Sequence, residues 1–125
     1  MAWAILIVDD SAFVRQALRE FFKRELDFEV CGQAGNGREA IEKAQQLHPD
    51  LIVLDLSMPV MNGLDAAKVL RQIMPKIPLI MYSSFVDGLT ERQATLMGVS
   101  EVVSKSERVS VLIDRARNPL NSMAA

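Results

Sequence analysis

The sequence predicts an α/β fold, a doubly wound five-stranded parallel sheet, (βα)5, with strand order 2-1-3-4-5. Short apolar runs alternate five times with longer amphipathic stretches, as in parallel strands joined by helical crossovers. The first, third and fourth runs are continuously apolar, which is typical of strands buried on both faces. The second and fifth are mixed, as expected at sheet edges. If the first, third and fourth strands are central and the second and fifth lie at the edges, the strand order 2-1-3-4-5 fits.

The first repeat begins with the apolar run Ala4–Val8, and Ser11 can cap the helix that follows. Apolar residues recur at helical spacing and predict one face of that helix: Phe13, Val14, Ala17, Leu18, Phe21 and Phe22. The second repeat begins with a strand at Phe28–Ala34, which the glycines of Gly35–Gly37 break. A second helix follows and closes at His48-Pro49.

The third strand is predicted at Leu51–Leu54, and Asn62-Gly63 leads into the third helix. The fourth strand, Leu79–Tyr82, is followed by a weaker helix over Asp87–Met97. The fifth strand is predicted at Glu101–Ser104 and the last helix from Glu107 to Arg117, because Pro119 should end it. Ser106 is a candidate N-cap for that helix.

Composition excludes several classes of protein. The 125 residues give one domain, with 1–118 as the domain and 119–125 as a C-terminal tail or linker. The 14 basic and 16 acidic residues argue against nucleic-acid binding by this segment. One cysteine and one histidine exclude an internal disulfide and sites built on cysteine or histidine pairs. The chain has no apolar run of membrane-spanning length, so we expect a cytoplasmic protein.

Polar residues follow the predicted strands at the edge where open parallel sheets bind ligands. They are Asp9 and Asp10 after the first strand, Asp55 after the third, Ser83 after the fourth and Lys105 after the fifth. Three carboxylates without imidazole or thiolate partners favour a hard cation, Mg²⁺ or Mn²⁺. With a hydroxyl and an ammonium group beside them, they indicate a site for a phosphoryl group. Any one of these residues alone is more often a turn former or a solvated side chain.

The motifs that carry these residues are LIVDDS at 6–11, PDLIVLDLSMP at 49–59, MNG at 61–63, PLIMYS at 78–83 and VVSK at 102–105. In this combination and order the chain resembles the receiver domain of two-component response regulators, of the chemotaxis-regulator type with a flavodoxin-like fold. The resemblance covers essentially the whole chain.

The resemblance implies a role for each residue. Asp55 is the phosphoacceptor, and Ser83 and Lys105 bind the phosphoryl oxygens. Mg²⁺, which Mn²⁺ could replace, is held by Asp9, Asp10 and Asp55 and by the backbone carbonyl of Ser57. On this basis the domain is not an enzyme, because it catalyses only its own phosphorylation and dephosphorylation.

The partner implied by the resemblance is a sensor histidine kinase in a phosphorelay. It also allows a homodimer through helix four, strand five and helix five. DNA contact and control of transcription would come only through an output domain outside this chain. No membrane contact is expected.

Two positions depart from the family pattern. Ser106 replaces a common proline, and Val102 replaces an aromatic residue, so a swinging aromatic ring cannot couple the site to the surface. Ser57 and Phe85, two positions beyond Asp55 and Ser83, cannot activate a water, so we predict a long-lived phosphorylated state.

Two alternatives stay open at this stage. Gly35-Asn-Gly37-Arg-Glu-Ala40 fits a dinucleotide-binding fingerprint, although it follows a predicted edge strand. A Mg²⁺-dependent phosphatase with an aspartyl nucleophile would use the same acidic residues, but the predicted loops are short for a substrate pocket.

Overall fold

The computed structural model describes residues 2–84 and 86–124, with the backbone alone at 123 and 124. Its elements alternate along the chain as β1 (Trp3–Val8), α1 (Ala12–Lys23), β2 (Phe28–Ala34), α2 (Gly37–Leu47), β3 (Leu51–Leu54), α3 (Gly63–Ile73), β4 (Leu79–Ser83), α4 (Gly88–Leu96), β5 (Glu101–Ser104) and α5 (Val109–Ala124). The strands form one parallel sheet in the order β2-β1-β3-β4-β5, which confirms the predicted fold class. Within the described residues, no helix is both long and apolar enough to cross a membrane.

The core is divided between the two faces of the sheet because successive side chains of a strand point in opposite directions. In β1, Ile5 and Ile7 belong to the cluster that includes residues of α1 and α5. Leu6 and Val8 belong to the cluster on the other face, with residues of α2, α3 and α4. Burial on both faces explains why the central strands are continuously apolar in sequence.

Four helices begin at residues whose side chains accept a backbone hydrogen bond, as N-caps do. Ser11 caps α1 as predicted, and its Oγ accepts from the N–H of Val14 at 3.2 Å. Asn36, Asn62 and Asp87 cap α2, α3 and α4 in the same way. A glycine follows each of these three caps as the first residue of its helix, at positions 37, 63 and 88.

The predicted end of the last helix is wrong, because α5 continues through Pro119. Proline lacks the N–H that an interior helical residue donates. The helix nevertheless continues because Leu120 is fully buried in the same cluster as Leu112 and Ala116, which precede it by two turns and one turn. The boundary predicted at 118 therefore falls within a helix, and a linker role for 119–125 stays a prediction.

One smaller expectation, at the start of the last helix, is also wrong. The last helix begins at Val109, so Ser106 is not its cap; the Ser106 hydroxyl instead lies 2.7 Å from that of Ser104. Phe13 is 82% exposed, because the row of α1 that packs on the sheet contains Leu18 and Phe22. Phe13 and the exposed Phe21 lie in the neighbouring row, which lines a groove beside Tyr82 and Lys105.

Candidate functional site

The carboxyl ends of the four neighbouring strands β1, β3, β4 and β5 bring together the polar residues singled out in the sequence. Asp9 and Asp55 directly follow β1 and β3, and the N–H of Asp55 donates to the carbonyl of Val8 at 2.9 Å. Ser83 is the last residue of β4, and its carbonyl accepts from the N–H of Lys105 at 2.7 Å. These hydrogen bonds hold the side chains at one edge of the sheet.

Three carboxylates form a compact acidic cluster there. Asp9, Asp10 and Asp55 each offer an oxygen, and these oxygens all lie within 4.8 Å of one another. Asp9 and Asp55 are buried, with 2% and 5% of their surface exposed, whereas Asp10 faces solvent. An all-oxygen cluster open on one side fits a hard divalent cation that keeps part of its water shell.

Lys105 is the positive charge of the site. Its Nζ lies 2.6 Å from Oδ2 of Asp9 and 3.6 Å from Oδ1 of Asp55. Burial alone would lower the pKa of Lys105, but the hydrogen bond to Asp9 and the negative charges of Asp55 and Asp9 raise it above the usual value. The side chain also packs over the ring of Tyr82, with 5.9 Å between Nζ and the ring centre. Lys105 is therefore a fixed cation beside the acidic cluster.

The surroundings of Asp55 disfavour its negative charge. Burial raises its pKa most, and the negative charge of Asp9 raises it further. Lys105 acts in the opposite direction, as does a hydrogen bond from the backbone of Ser57. A buried carboxylate with two acidic neighbours and one ammonium group is suited to bind a cation or to accept an electrophile.

The other predicted residues lie around this centre. Ser83 is buried next to β5, where it is paired with Ser104 in the sheet register. The side chain of Ser57 is exposed, so its contribution to the site comes through its backbone. Phe85, invoked for the lifetime of the phosphorylated state, lies outside the described residues.

Arg15 is a residue of the site that the sequence analysis missed. Its Nη1 donates to the backbone carbonyl of Asp9 at 2.7 Å, and its Nε donates to Oε1 of Gln33 at 3.3 Å. Asp9 is also fixed through its side chain, whose Oδ1 accepts from the N–H of Ser11 at 2.9 Å. The only signal in the sequence is that Arg15 lies one helical turn after the cap Ser11.

Comparison with known proteins decides the family. The model of the response regulator receiver domain matches residues 5–117. The chain belongs to this family. The crystal structure of the response regulator domain of Thermotoga maritima CheB is similar, with a TM-score of 0.89, 32% sequence identity and coverage of 97% of this chain and 98% of that one. The predicted family is thus confirmed.

Two curated relatives differ in how much of their own length this chain covers. It is 36% identical over 114 residues to the chemotaxis protein CheY of Thermotoga maritima, covering 91% of this chain and 94% of the relative. It is 42% identical over 122 residues to a protein-glutamate methylesterase/protein-glutamine glutaminase of Methanosarcina mazei, covering 90% of this chain but 34% of the relative. The chain spans 34 to 36% of the length of the first three such methylesterases.

The structure also explains the glycines that suggested a dinucleotide site. They follow β2, which is an edge strand of this receiver domain, whereas the fingerprint belongs to the central first strand. A Cβ on Gly37 would lie 2.6 Å from the carbonyl oxygen of Met61, so this glycine permits two backbone segments to meet. The motif therefore has a packing explanation.

Proposed function

We propose that this receiver domain accepts a phosphoryl group on Asp55 from a phosphohistidine of a sensor histidine kinase, in a Mg²⁺-dependent phosphorelay. The observation that carries the proposal is the position of Asp55. It lies at the centre of the site, buried, with two carboxylates and Lys105 around it. The domain would act as a phosphoacceptor that catalyses only its own phosphorylation and dephosphorylation.

The acidic cluster fits the metal that this function needs. Asp9, Asp10 and Asp55 would hold Mg²⁺, or Mn²⁺ in its place, together with the backbone carbonyl of Ser57 and water. Bound there, the cation would offset the repulsion among the carboxylates and polarise the incoming phosphoryl group. Mg²⁺ in proteins is commonly held by one or two carboxylates, water and substrate phosphate, which agrees with a cluster that is open at Asp10.

In the proposed transfer, a carboxylate oxygen of Asp55 attacks phosphorus as the bond from phosphorus to the histidine nitrogen breaks. The bonding electrons stay with the imidazole, and Asp55 becomes an acyl phosphate. Lys105, 3.6 Å from Oδ1 of Asp55, would then bind a phosphoryl oxygen, and the Ser83 hydroxyl would bind another. The protein therefore contributes mainly positioning and charge, as in other phosphoryl transfers.

An apolar strip beside the site supports docking of the kinase helix that carries the phosphohistidine. Phe13, Ala17 and Phe21 form one row of α1 and line a groove of about 220 Å³. Tyr82 and Lys105 line the same groove, so it is continuous with the phosphoacceptor site. A homodimer through α4, β5 and α5 is a second proposal.

The relatives support a chemotaxis type of output more than control of transcription. The relative that this chain covers almost completely, CheY of Thermotoga maritima, is a chemotaxis protein by name. Any contact with DNA would require an output domain outside this chain. The proposal implies a cytoplasmic location, where the kinase and its phosphodonor would meet the domain.

Acetyl phosphate tests the proposal without a kinase. With Mg²⁺, intact-mass spectra should show one added phosphoryl group on the wild-type protein and on Asp65→Asn, a control for an exposed carboxylate. Asp55→Asn and addition of EDTA should each abolish the gain. Phosphate on Asp55→Asn would refute the assignment, and steady turnover of an aryl phosphate would show an enzyme instead.

A further inference from the structure

Residues 56–62, which follow Asp55 in the loop between β3 and α3, are held at two points by backbone contacts with glycines. The N–H of Gly63 donates to the carbonyl of Leu56 at 2.7 Å, and the N–H of Gly37 donates to the carbonyl of Met61 at 3.0 Å. A Cβ on Gly63 would overlap the carbonyl oxygen of Asp55. The second contact comes from α2, which is remote in sequence from the loop.

The conformation of the loop is imposed by these surroundings. Val60 has a φ of 68°, in the left-handed region that β-branched residues rarely adopt. The N–H of Met61 donates to the carbonyl of Pro59 at 2.7 Å, which closes a three-residue turn. Such a backbone persists where its neighbours over-determine it. The hydrogen bond from Gly37 to Met61 lies next to the strained residue.

The same loop carries the backbone of Ser57, which donates a hydrogen bond to Asp55. Its carbonyl is also the ligand expected to complete the cation site. Displacement of Met61 would therefore be transmitted along a short, strained segment to the atoms around Asp55.

We propose that Gly37 is a positioning residue for this site: through the backbone of Met61 it holds loop 56–62, and hence Ser57, in place against Asp55. The inference rests on the proposed function, because its readout is cation binding. Any side chain at position 37 would meet the carbonyl oxygen of Met61 at 2.6 Å, its Cγ at 2.9 Å and Cβ of Ala66 at 3.0 Å. Since the closest of these is backbone, the loop has to move.

The chain offers a matched control for Gly37→Ala. Gly37 and Gly88 are both the first residue of a helix, after an Asn or Asp cap. A Cβ on Gly88 would have nothing within 4 Å. Gly88→Ala therefore has the same intrinsic effect on a helix without the contact.

The test measures Mn²⁺ affinity by electron paramagnetic resonance, the Mg²⁺ dependence of phosphorylation by acetyl phosphate, and urea unfolding in EDTA. We expect Gly37→Ala to bind Mn²⁺ about tenfold more weakly, the lower end of the range for residues that orient metal ligands. High Mg²⁺ should largely restore its phosphorylation rate. Gly88→Ala should stay within about twofold of wild type, as expected without an altered contact.

The inference would be overturned if the Gly37→Ala variant is folded and binds Mn²⁺ as tightly as wild type. It would also be overturned if Gly88→Ala loses as much Mn²⁺ affinity as Gly37→Ala. If Gly37→Ala does not fold, Asn36→Ala replaces it. That variant removes the cap that accepts from the N–H of Glu39 at 2.9 Å and loosens the start of α2 without adding an atom at position 37.

A folded Asn36→Ala should then bind Mn²⁺ more weakly than wild type, and unchanged affinity would again overturn the inference. The double variant Gly37→Ala/Met61→Ala keeps the backbone contact, so full recovery of affinity would show that crowding of the Met61 side chain was the cause. A wild-type protein that neither binds Mn²⁺ nor gains phosphate would refute the proposed function instead.

Discussion

Removal of the negative charge of Asp55 should stabilise the receiver domain when no cation is bound. Its oxygen lies within 4.8 Å of carboxylate oxygens of Asp9 and Asp10. At 4.8 Å and an effective dielectric constant near 20, each unscreened carboxylate repels Asp55 by about 3.5 kcal/mol. Lys105 at 3.6 Å attracts it by about 4.6 kcal/mol on the same scale. Solvent screens the exposed Asp10, so repulsion and attraction nearly cancel.

What remains is the cost of burying an ionised carboxyl, which is several kcal/mol per ion in protein interiors. The hydrogen bond from Ser57 offsets part of this cost. We therefore expect Asp55→Asn, which keeps the shape of the side chain, to raise the free energy of unfolding in EDTA by about 1–2 kcal/mol.

The effect should depend on pH with a definite sign. Burial, and then the charge of Asp9, raises the pKa of Asp55 in the folded state above the ordinary value of 3.8. The ionised carboxyl therefore lowers the free energy of unfolding. The whole loss is present at pH values above the folded-state pKa, and none of it remains below pH 3.8. The difference in unfolding free energy between Asp55→Asn and wild type should be largest at neutral pH and should disappear as pH falls to that value.

Urea unfolding followed by circular dichroism measures both quantities, in EDTA and in excess Mg²⁺. Mg²⁺ at one hundred times its Kd should stabilise the wild type by about 2.7 kcal/mol, and Asp55→Asn by much less. The exposed Asp65→Asn should stay within about 0.5 kcal/mol of wild type in each condition. An Asp55→Asn variant that is less stable than wild type in EDTA, or a difference independent of pH, would refute the electrostatic account.

Three further predictions concern the switch, the lifetime and the core. Beryllofluoride should change hydrogen exchange more over residues 83–105 than over 38–47, because Lys105 binds the added group, and an equal change would contradict this. The phosphorylated state should decay slowly and Ser57→Asn should shorten its lifetime in a phosphoprotein decay assay, since an amide can orient the attacking water. Leu120→Ala should lower the free energy of unfolding by about 3 kcal/mol, because Leu120 is fully buried, whereas Leu26→Ala, at a 99% exposed position, should have little effect in the same urea titration.

The sheet could be predicted from the sequence because its central strands are buried on both faces. Continuous apolar runs such as Leu51–Leu54 satisfy that environment. The helices that cover the two faces of the sheet alternate with these strands along the chain. The site followed from the same logic, since residues after neighbouring parallel strands meet at one edge. Asp9, Asp55 and Lys105 lie at this edge of the sheet and are in contact there.

The end of α5 could not be predicted in this way. The helical preference of proline describes only the local free-energy cost at Pro119. The helix continues because Leu120 packs in the core two turns after Leu112. The exposure of Phe13 had a similar cause. Its helix has two neighbouring apolar rows, and periodicity alone does not show which of them packs on the sheet.

The roles of Arg15 and Gly37 depend on contacts between segments that are distant along the chain. Arg15 reaches the carbonyl of Asp9 and the side chain of Gln33 on β2. In the sequence Gly37 only marks the break after the second strand, yet Met61 leaves no room for a side chain at this position. Such contacts leave no periodic signal, so they emerge only from the three-dimensional structure.

The packing of the helices also indicates how the proposed phosphorylation would be transmitted. Ser83 ends β4, Lys105 directly follows β5, and α4 is the helix between these strands. Ala94 is the one described residue of α4 that is buried, whereas α3 buries Gly63, Ala66, Ala67 and Leu70. A helix with so little buried surface can shift at lower cost than its neighbours. We therefore expect a movement of Ser83 and Lys105 toward a phosphoryl group to displace α4 first, while the contact between Gly37 and Met61 keeps the acceptor loop in place.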